Sequence, residues 1–352
     1  MKKVEFRHDI IIRILLTIIL VGILCFVCFC QTTILSWSGY GEYASIVLGE
    51  FKVCFFDVGQ GDSTLIEYRD TTILIDAGPS KSVSGLCSSI QKVAGNSEID
   101  FFILTHADSD HVGGGEEIFK RFEVKNFYRP KMLSGEEVAN GNVDEFGVHD
   151  TLTYNNTISA SYEENCDIFF NERGVIVSED NFSAEILYPF SDDDLKATDS
   201  NSFSAVVRVT YADFTYLFMA DADFEIEDKL ISTYSSNLDC DVLKVAHHGS
   251  KYATSEEFLS IASPTYAVIS VGEVGIDVYG HAGTEIKQRI TDAGAIIYQT
   301  SVGGHILFGE NATKGALNYK SLPSVPVAVV SATIGILVLV VWGVWLPKKS
   351  KN

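Results

Sequence analysis

The chain has 352 residues, of which 46% are hydrophobic, and a formal net charge of −21. It is long enough to bury a substantial core, as one large domain or two small ones. Its acidic charge repels polyanions at long range and argues against broad, non-specific nucleic-acid binding. Four cysteines outside the first apolar segment lack the paired spacing of a zinc finger: Cys54, Cys87, Cys166 and Cys240.

Apolar segments of membrane-spanning length lie near both ends. The first, Ile10 to Cys30, is interrupted only by Arg13 and follows basic residues, which predicts a membrane anchor or signal anchor over residues 1–34. A cleavable signal peptide is the alternative. The second, Val325 to Leu346, precedes three lysines and predicts a transmembrane helix over residues 324–347.

The basic residues flank both segments on their terminal sides. The positive-inside rule therefore predicts a cell-membrane protein with cytoplasmic termini and an extracellular middle. The two ends contribute +2 and +3 to the net charge of −21, which leaves −26 for the residues between them.

The first predicted elements after the linker are strands. They cover residues 51–56, 64–68 and 72–75, and a turn with two glycines, Asp57 to Ser63, separates the first two. A helix is predicted over 84–94, followed by an apolar strand over 101–104.

The last of these strands leads into a segment rich in metal-ligand residue types. His106, Asp108, Asp110 and His111 occupy four of six positions, and three glycines follow from Gly113. Nitrogen and oxygen ligands at this density favour Zn²⁺ or Mn²⁺, whereas a purely structural zinc site would be rich in thiols. The alternative is a solvated acidic loop with incidental histidines.

Further strands and helices follow in the second half. Residues 131–180 are predicted to form surface loops and edge strands, because their apolar runs are short. Strands are predicted over 186–189, 205–210, 215–219, 241–246, 267–271, 295–298 and 305–308, and helices over 116–121, 224–234, 256–262 and 285–293. Polar residues follow several strands: Asp221, the pair His247 and His248, and His281 after a glycine-containing loop. Strands and helices in this order predict two packed sheets covered by helices.

Three motifs carry a family resemblance: Phe56 to Ser63, the His106-x-Asp108-x-Asp110-His111 pattern, and Val245 to Ser250. The chain resembles the metallo-β-lactamase superfamily, in the subgroup of the soluble domain of ComEC/Rec2-type DNA-uptake proteins. Asp108 stands where the superfamily signature has a second histidine. The resemblance covers about residues 50–310 and implies an α/β fold, the αβ/βα four-layer sandwich, over residues 45–320.

The resemblance also implies a site with two divalent metal ions, Zn²⁺ first and Mn²⁺ as the alternative. Its metal ligands would be His106, Asp108, Asp110, His111, Asp221 as the bridging carboxylate, and His247. Its catalytic residues would be Asp110, His248 and His281, and Asp76 would support the metal loop from behind. Side chains alternate along a strand, so His247 and His248 point differently, and the two roles are open to exchange. The segment from Asp199 to Ser204 lacks the third histidine that many superfamily members have.

The implied function is metal-dependent hydrolysis, in which a hydroxide activated by the two metals attacks a phosphodiester. The substrate would be a phosphate ester, including nucleic acid, and no obligate protein partner is evident. A choline-phosphate esterase or another small-substrate hydrolase is the first alternative, favoured by the acidic charge. A non-catalytic binding protein with a degenerate site is the second. The fold by itself does not decide among them.

Overall fold

The computed structural model describes residues 40–142, 147–196, 199–273, 280–311 and 315–319. Its strands are β1 (Phe51–Phe55), β2 (Thr64–Tyr68), β3 (Thr71–Ile75), β4 (Glu98–Ile103), β5 (Glu123–Arg129), β6 (Leu133–Ser134), β7 (Val148–His149), β8 (Asp167–Phe170), β9 (Gly174–Glu179), β10 (Phe182–Tyr188), β11 (Val206–Tyr211), β12 (Phe214–Phe218), β13 (Val242–Lys244), β14 (Tyr266–Ile269), β15 (Ile296–Gln299), β16 (His305–Gly309) and β17 (Leu317–Tyr319). Its helices are α1 (Tyr40–Val47), α2 (Val83–Ala94), α3 (Ser109–Val112), α4 (Gly115–Arg121), α5 (Gly135–Ala139), α6 (Leu152–Glu164), α7 (Phe224–Tyr234), α8 (Glu256–Ala262), α9 (Thr284–Asp292) and α10 (Thr300–Gly303).

Most strands belong to two large sheets. The first sheet has the order β17-β16-β1-β2-β3-β4-β5-β8, and the second has the order β15-β14-β13-β12-β11-β10-β9. Strands β3, β4 and β5 are parallel to one another in the first sheet, as β12, β13 and β14 are in the second. The short strands β6 and β7 pair separately.

The core lies between the two sheets, because alternate residues of each strand point to the opposite sheet. Phe51, Val53 and Phe55 of β1 pack in one buried cluster with residues of the second sheet such as Tyr216 and Phe218. The predicted pair of packed sheets is confirmed.

Helices cover the outer face of each sheet. On the second sheet, Ile226 of α7, Phe258 of α8 and Ile286 of α9 share a buried cluster with Leu217 and Leu243. On the first sheet, the ring of Phe119 in α4 contacts those of Phe102 and Phe127, 5.6 and 5.1 Å away between centroids. The layers therefore run helix, sheet, sheet, helix.

Helices α7 and α8 have the predicted bounds, because each begins at a side-chain cap. The carboxylate of Asp223 accepts hydrogen bonds from the backbone N–H groups of Glu225 and Ile226, at 3.0 and 3.1 Å. The hydroxyl of Ser255 accepts one from Phe258 at 3.1 Å. Such caps satisfy backbone donors that the first helical turn leaves free.

The prediction of loops and edge strands over residues 131–180 is wrong for α6. The buried side of this helix carries polar or small residues such as Thr157, Ala160 and Ser161 beside Tyr154 and Ile158. A Cβ atom at Gly115 would lie 2.5 Å from Thr157, so small residues let α6 approach α4 closely. A helix that packs through such residues lacks the apolar pattern by which helices are recognised.

The helices within the described ranges include none long and apolar enough to cross a bilayer. The apolar segments from Ile10 to Cys30 and from Val325 to Leu346 lie outside those ranges. The two spans remain predictions from the sequence.

The topology brings chemically active residues to one edge of the sandwich. Asp76 follows β3 and the His106–His111 segment follows β4, while Asp221 follows β12 and His247 follows β13. The carboxyl ends of parallel strands share an edge, where open α/β sheets bind their ligands.

Candidate metal centre

The metal loop, residues 104–114 between β4 and α4, is positioned by hydrogen bonds to Asp76. The Nδ1 atom of His111 lies 2.7 Å from Asp76 Oδ2, and the hydroxyl of Thr105 donates to the same carboxylate at 2.8 Å. The Thr105 oxygen in turn lies 3.0 Å from Nδ1 of His106. Both contacts direct Nδ1 toward an oxygen, so that Nε2 of His106 and of His111 points into the site as the candidate ligand atom.

His248 is oriented in the same way by the second sheet. Its Nδ1 donates to the carbonyl oxygen of Ser270 at 2.9 Å, and the residue is 1% exposed. Its Nε2 lies 3.3 Å from Nε2 of His111. The side chain of His247 is 28% exposed and also points its Nε2 atom toward Asp221. The imidazoles of His106, His111, His247 and His248 therefore all point toward the carboxylate of Asp221.

The two oxygens of Asp221 face two different sets of donors. The His111 group surrounds Oδ1: Nε2 of His111 lies 3.2 Å and Nε2 of His248 3.7 Å from this oxygen, and Asp110 Oδ2 lies 3.2 Å from His248 Nε2. The His106 group surrounds Oδ2: Nε2 of His106 lies 3.8 Å and Nε2 of His247 3.6 Å from it, and Asp108 Oδ2 lies 3.8 Å from His106 Nε2. Asp221 is the residue common to both groups.

The donor spacing of the His111 group fits a divalent cation. Ligands about 2.0–2.1 Å from a tetrahedral zinc ion are about 3.3 Å apart, close to the separations above. Within the described ranges, His106 Nε2 and Asp221 Oδ1 are buried without a hydrogen-bond partner. Buried polar atoms are normally paired, so these two atoms indicate that the site is built for a ligand. Residues of this site form a candidate buried metal-binding cluster, in which Asp62, His111, Asp221 and His248 each offer a donor atom within 4.8 Å of the others.

The electrostatics of the cluster also favour a positive charge. Burial would lower the pKa of His111, but the carboxylates of Asp221 and Asp76 raise it well above its usual value. Burial would raise the pKa of Asp221, but His111, His248 and His106 hold it well below its usual value. Carboxylates that stay ionised while buried attract cations strongly, because the interior screens charge poorly.

The backbone at the strand ends is unusual. Ala220, His247 and His248 have φ angles of 48°, 47° and 54°, in the left-handed region that residues other than glycine rarely adopt. Two consecutive left-handed residues turn the chain sharply and place both imidazoles on the same carboxylate. Strained backbone of this kind is concentrated at functional sites.

Glycine is required where the first motif touches the metal loop. Gly61 has a φ of 139°, and a Cβ atom there would lie 2.3 Å from the carbonyl oxygen of Asp110. The neighbouring N–H of Asp62 donates to that carbonyl at 3.1 Å. The Phe56–Ser63 motif thus supports the metal loop directly.

A cleft of ≈ 780 Å³ opens over the cluster. Asp108, Asp110 and Asp221 lie on its floor, and Lys251, Tyr252 and His281 line its wall. The ring of His281 lies 5.6 Å from that of His247 between centroids. The structure thus places the ring of His281 beside that of His247.

Comparison with known proteins agrees with this geometry. Residues 56–134 match the model of the metallo-β-lactamase superfamily. ComE operon protein 3 of Bacillus subtilis (strain 168) is 27% identical over 276 residues, which cover 74% of this chain and 33% of that protein. The chain is therefore similar to the metallo-β-lactamase superfamily, through the match over residues 56–134. Its curated relatives are of the ComEC/Rec2 type.

A second relative, competence protein ComA of Neisseria gonorrhoeae, is 27% identical over 282 residues, which cover 78% of this chain and 35% of that protein. The chain therefore spans about a third of the length of the curated relatives it matches. Among solved structures, the metallo-β-lactamase fold protein YhfI from Bacillus subtilis has a TM-score of 0.47 and 13% identity, over 73% of this chain and 100% of that one. Members of this superfamily are in general metal-dependent hydrolases.

The structure brings Asp108, Asp110, Asp221, His247, His248 and His281 to this cleft, and His106 and His111 lie buried beside Asp221. It adds two residues to which the sequence gave no role. Asp62 belongs to a quoted motif and lies in the buried cluster. Lys244 lies 2.6 Å from it, between Nζ and Oδ2. A lysine inside the otherwise apolar stretch from Val242 to Ala246 was the available signal. His248 rather than His247 is the wholly buried member of the histidine pair, and the metal roles of both remain predictions.

Proposed function

We propose that this chain is a metal-dependent phosphodiesterase with two divalent cations, and that Asp221 bridges them. The observation that carries the proposal is that the two Asp221 oxygens face separate donor groups. A shared carboxylate is what keeps two cations about 3.5–4 Å apart in hydrolytic sites. A single cation would leave either the His106 group or the His111 group without a bound ligand.

The proposed ligands follow from the two groups. His106, Asp108 and His247 would bind one cation with Asp221 Oδ2, and Asp110, His111 and His248 would bind the other with Oδ1. Zn²⁺ suits such nitrogen and oxygen donors, and Mn²⁺ is the alternative. Cations bound there would polarise a phosphoryl oxygen and lower the pKa of a coordinated water.

The remaining residues of the cleft would act on the substrate. His281 lies on the wall beside His247, where its imidazole can give a proton to the leaving oxygen. The ammonium of Lys251 lines the same cleft, where it can pair with a phosphate oxygen. Asp110 would bind a cation and accept a hydrogen bond from the attacking water.

The substrate class is proposed from the relatives and the chemistry. Their names assign them to competence and recombination, which favours a nucleic-acid phosphodiester. The candidate in second place is a choline-phosphate ester or another small substrate. The charge of −26 between the two ends and the acidic cleft residue Glu285 favour this candidate, because they attract a cationic choline group and repel a long polyanion.

We further propose that the hydrolase domain is anchored in the cell membrane and faces outward. The support is the pair of apolar segments with basic residues on their terminal sides. Alkaline phosphatase fused after residue 319 should be active, and the same fusion after Asn352 inactive. Activity in the reverse order would contradict this topology.

The function is tested on the full-length chain with Zn²⁺ or Mn²⁺ and four substrates. These are bis-p-nitrophenyl phosphate, single-stranded DNA, p-nitrophenylphosphorylcholine and nitrocefin. Turnover of the first two supports the phosphodiesterase, and turnover of the third alone supports the small-substrate hydrolase. Hydrolysis of nitrocefin alone would contradict both, and bound metal without any turnover would leave a binding protein.

A further inference from the structure

Lys244 is a buried cation within the donor cluster. It is the last residue of β13 and only 3% exposed. Its ammonium lies 2.6 Å from Asp62 Oδ2 and 3.0 Å from the carbonyl oxygen of Val245. Lysine is rarely buried without a carboxylate partner, and here that partner lies in the loop between β1 and β2 of the other sheet.

Asp62 has the position of a metal ligand but already has a counter-ion. Its second oxygen, Oδ1, is buried without a hydrogen-bond partner among the described residues and lies 3.7 Å from Nδ1 of His248. One of its oxygens belongs to the set of donor atoms within 4.8 Å that includes His111 and Asp221. Asp62 is therefore close enough to the site to respond to a bound cation.

The donor set has two halves by position in the chain: the metal loop with His106 and His111, and the turn with His247 and His248. The pair of Asp62 and Lys244 joins them. The N–H of Asp62 donates to the Asp110 carbonyl in the metal loop, and its carboxylate binds Lys244, three residues before His247. A break in the pair would leave one buried charge uncompensated, which is costly in a protein interior.

We propose that Lys244 is a positioning residue that serves as a built-in cation. It keeps Asp62 from acting as a metal ligand, and it holds the two halves of the donor set together when no metal is bound. This inference rests on the proposed function, because it assumes that divalent cations bind to the cluster. It assigns to Lys244 the neutralising role that the cations have for Asp110 and Asp221.

The decisive variant is Lys244→Met, which keeps the length of the side chain and removes its charge. Asp62 would then be a buried carboxylate without a partner, and a bound cation would take over its neutralisation. A ligand that stabilises only the folded state raises its stability in proportion to its affinity. We expect Zn²⁺ or Mn²⁺ to raise the Tm of Lys244→Met by about 3 °C more than that of the wild type. We expect the variant to bind the cation about tenfold more tightly.

Asp62→Asn should have the opposite effect. It leaves the Lys244 ammonium unpaired beside the cations, which repels them, and we expect metal binding about tenfold weaker than in the wild type. The double variant, Asp62→Asn with Lys244→Met, removes both charges and should bind metal within about threefold of the wild type. The two single variants are thus expected to change metal affinity in opposite directions. Asp62→Asn and the double variant still test the inference if Lys244→Met folds only with metal.

A matched control exists on β1 and β2. Lys52 forms a buried ion pair with Glu67 and also donates to a backbone carbonyl, that of Val47, at 2.9 Å. Lys52→Met therefore breaks the same type of pair away from the donor cluster. It should lower the Tm in EDTA while leaving the metal-induced rise in Tm equal to that of the wild type.

The experiment measures Tm and metal affinity of the full-length chain after EDTA dialysis and titration with ZnCl₂ or MnCl₂. A rise for Lys244→Met that equals or falls below the wild-type rise would overturn the inference, because Lys244 would then be an ordinary ion-pair partner or a requirement for metal binding. Absence of any metal effect on the wild type would overturn the proposed function and the inference with it. A normal wild-type effect with unchanged variants would overturn the inference alone.

Discussion

The two halves of the donor set are positioned by different means. In the first half, the metal loop, side chains orient the ligands: Asp76 and Thr105 position the rings of His111 and His106 through hydrogen bonds. In the second half the backbone orients the ligands. His247 and His248 have left-handed φ angles, and the main-chain carbonyl of Ser270 orients the ring of His248. Side-chain support can be removed by mutation, whereas backbone support cannot, so the two halves should respond differently to substitution.

Asp221 is the residue on which the two halves meet, and its loss should have the largest effect. Asp221→Asn keeps the size of the side chain but removes the charge shared by both donor groups. We expect kcat/KM to fall at least about a thousandfold, because bound cations supply several kcal/mol of transition-state stabilisation. Steady-state hydrolysis of bis-p-nitrophenyl phosphate measures the loss. Asp228→Asn, an exposed change on the adjacent helix α7, should retain wild-type activity.

The second half is tested by the histidine pair in the metal-free chain. His248→Ala removes a wholly buried ring with a hydrogen bond to Ser270, and we expect a loss of about 2–3 kcal/mol in the free energy of unfolding. His247→Ala removes a ring that is 28% exposed and should cost less than about 1 kcal/mol. Urea unfolding in EDTA gives both values. Equal losses would show that the left-handed turn does not distinguish the two residues.

The first half is tested by Asp76→Asn. The amide accepts a weaker hydrogen bond from His111, and its NH₂ group cannot replace the second accepting oxygen. Loss of such a partner typically lowers metal affinity about 10- to 100-fold, and we expect this range for Zn²⁺. Competition with a chromophoric chelator measures the affinity. Asp70→Asn, in the exposed turn between β2 and β3, is the control, and an equal loss in that variant would remove the special role of Asp76.

The effect of acid on the stability of the first sheet, through His305 at the start of β16, is predicted to be smaller. His305 accepts a hydrogen bond from the N–H of Asp57 at 2.9 Å, and burial, with a minor effect of Lys92, lowers its pKa to about 4. The unfolded chain takes up this proton near pH 6.5, so stability is present above that pH and is lost as the pH falls toward 4. His305→Asn keeps an acceptor that does not titrate. We expect it to reduce the stability lost between pH 7 and 4.5 by about 2 kcal/mol, measured by urea unfolding. An unchanged pH profile would contradict this assignment.

The sequence predicted the first half of the site better than the second. His106 and His111 lie within six residues and follow an apolar strand, so short-range spacing was sufficient to locate them. The bounds of α7 and α8 were predictable for a similar reason, because Asp223 and Ser255 cap them locally. The positions of the metal loop and of these helices are therefore determined by residues that are close in sequence.

The remaining features depend on residues far apart. Lys244 and Asp62 are separated by 182 positions, and no local pattern joins them. The placement of His248 depends on two consecutive left-handed residues, whereas the sequence analysis assumed the alternation of an extended strand. Helix α6 was missed because its contacts are made by small and polar side chains such as Thr157.

The central claim is that one carboxylate, Asp221, bridges two cations. Its most direct test is the metal content of the full-length chain, dialysed against Zn²⁺ and then against metal-free buffer, by inductively coupled plasma mass spectrometry with and without Asp221→Asn. The account predicts two zinc ions per wild-type chain and fewer than one in the variant. A wild-type chain with no zinc, or with the same content as the variant, would contradict it.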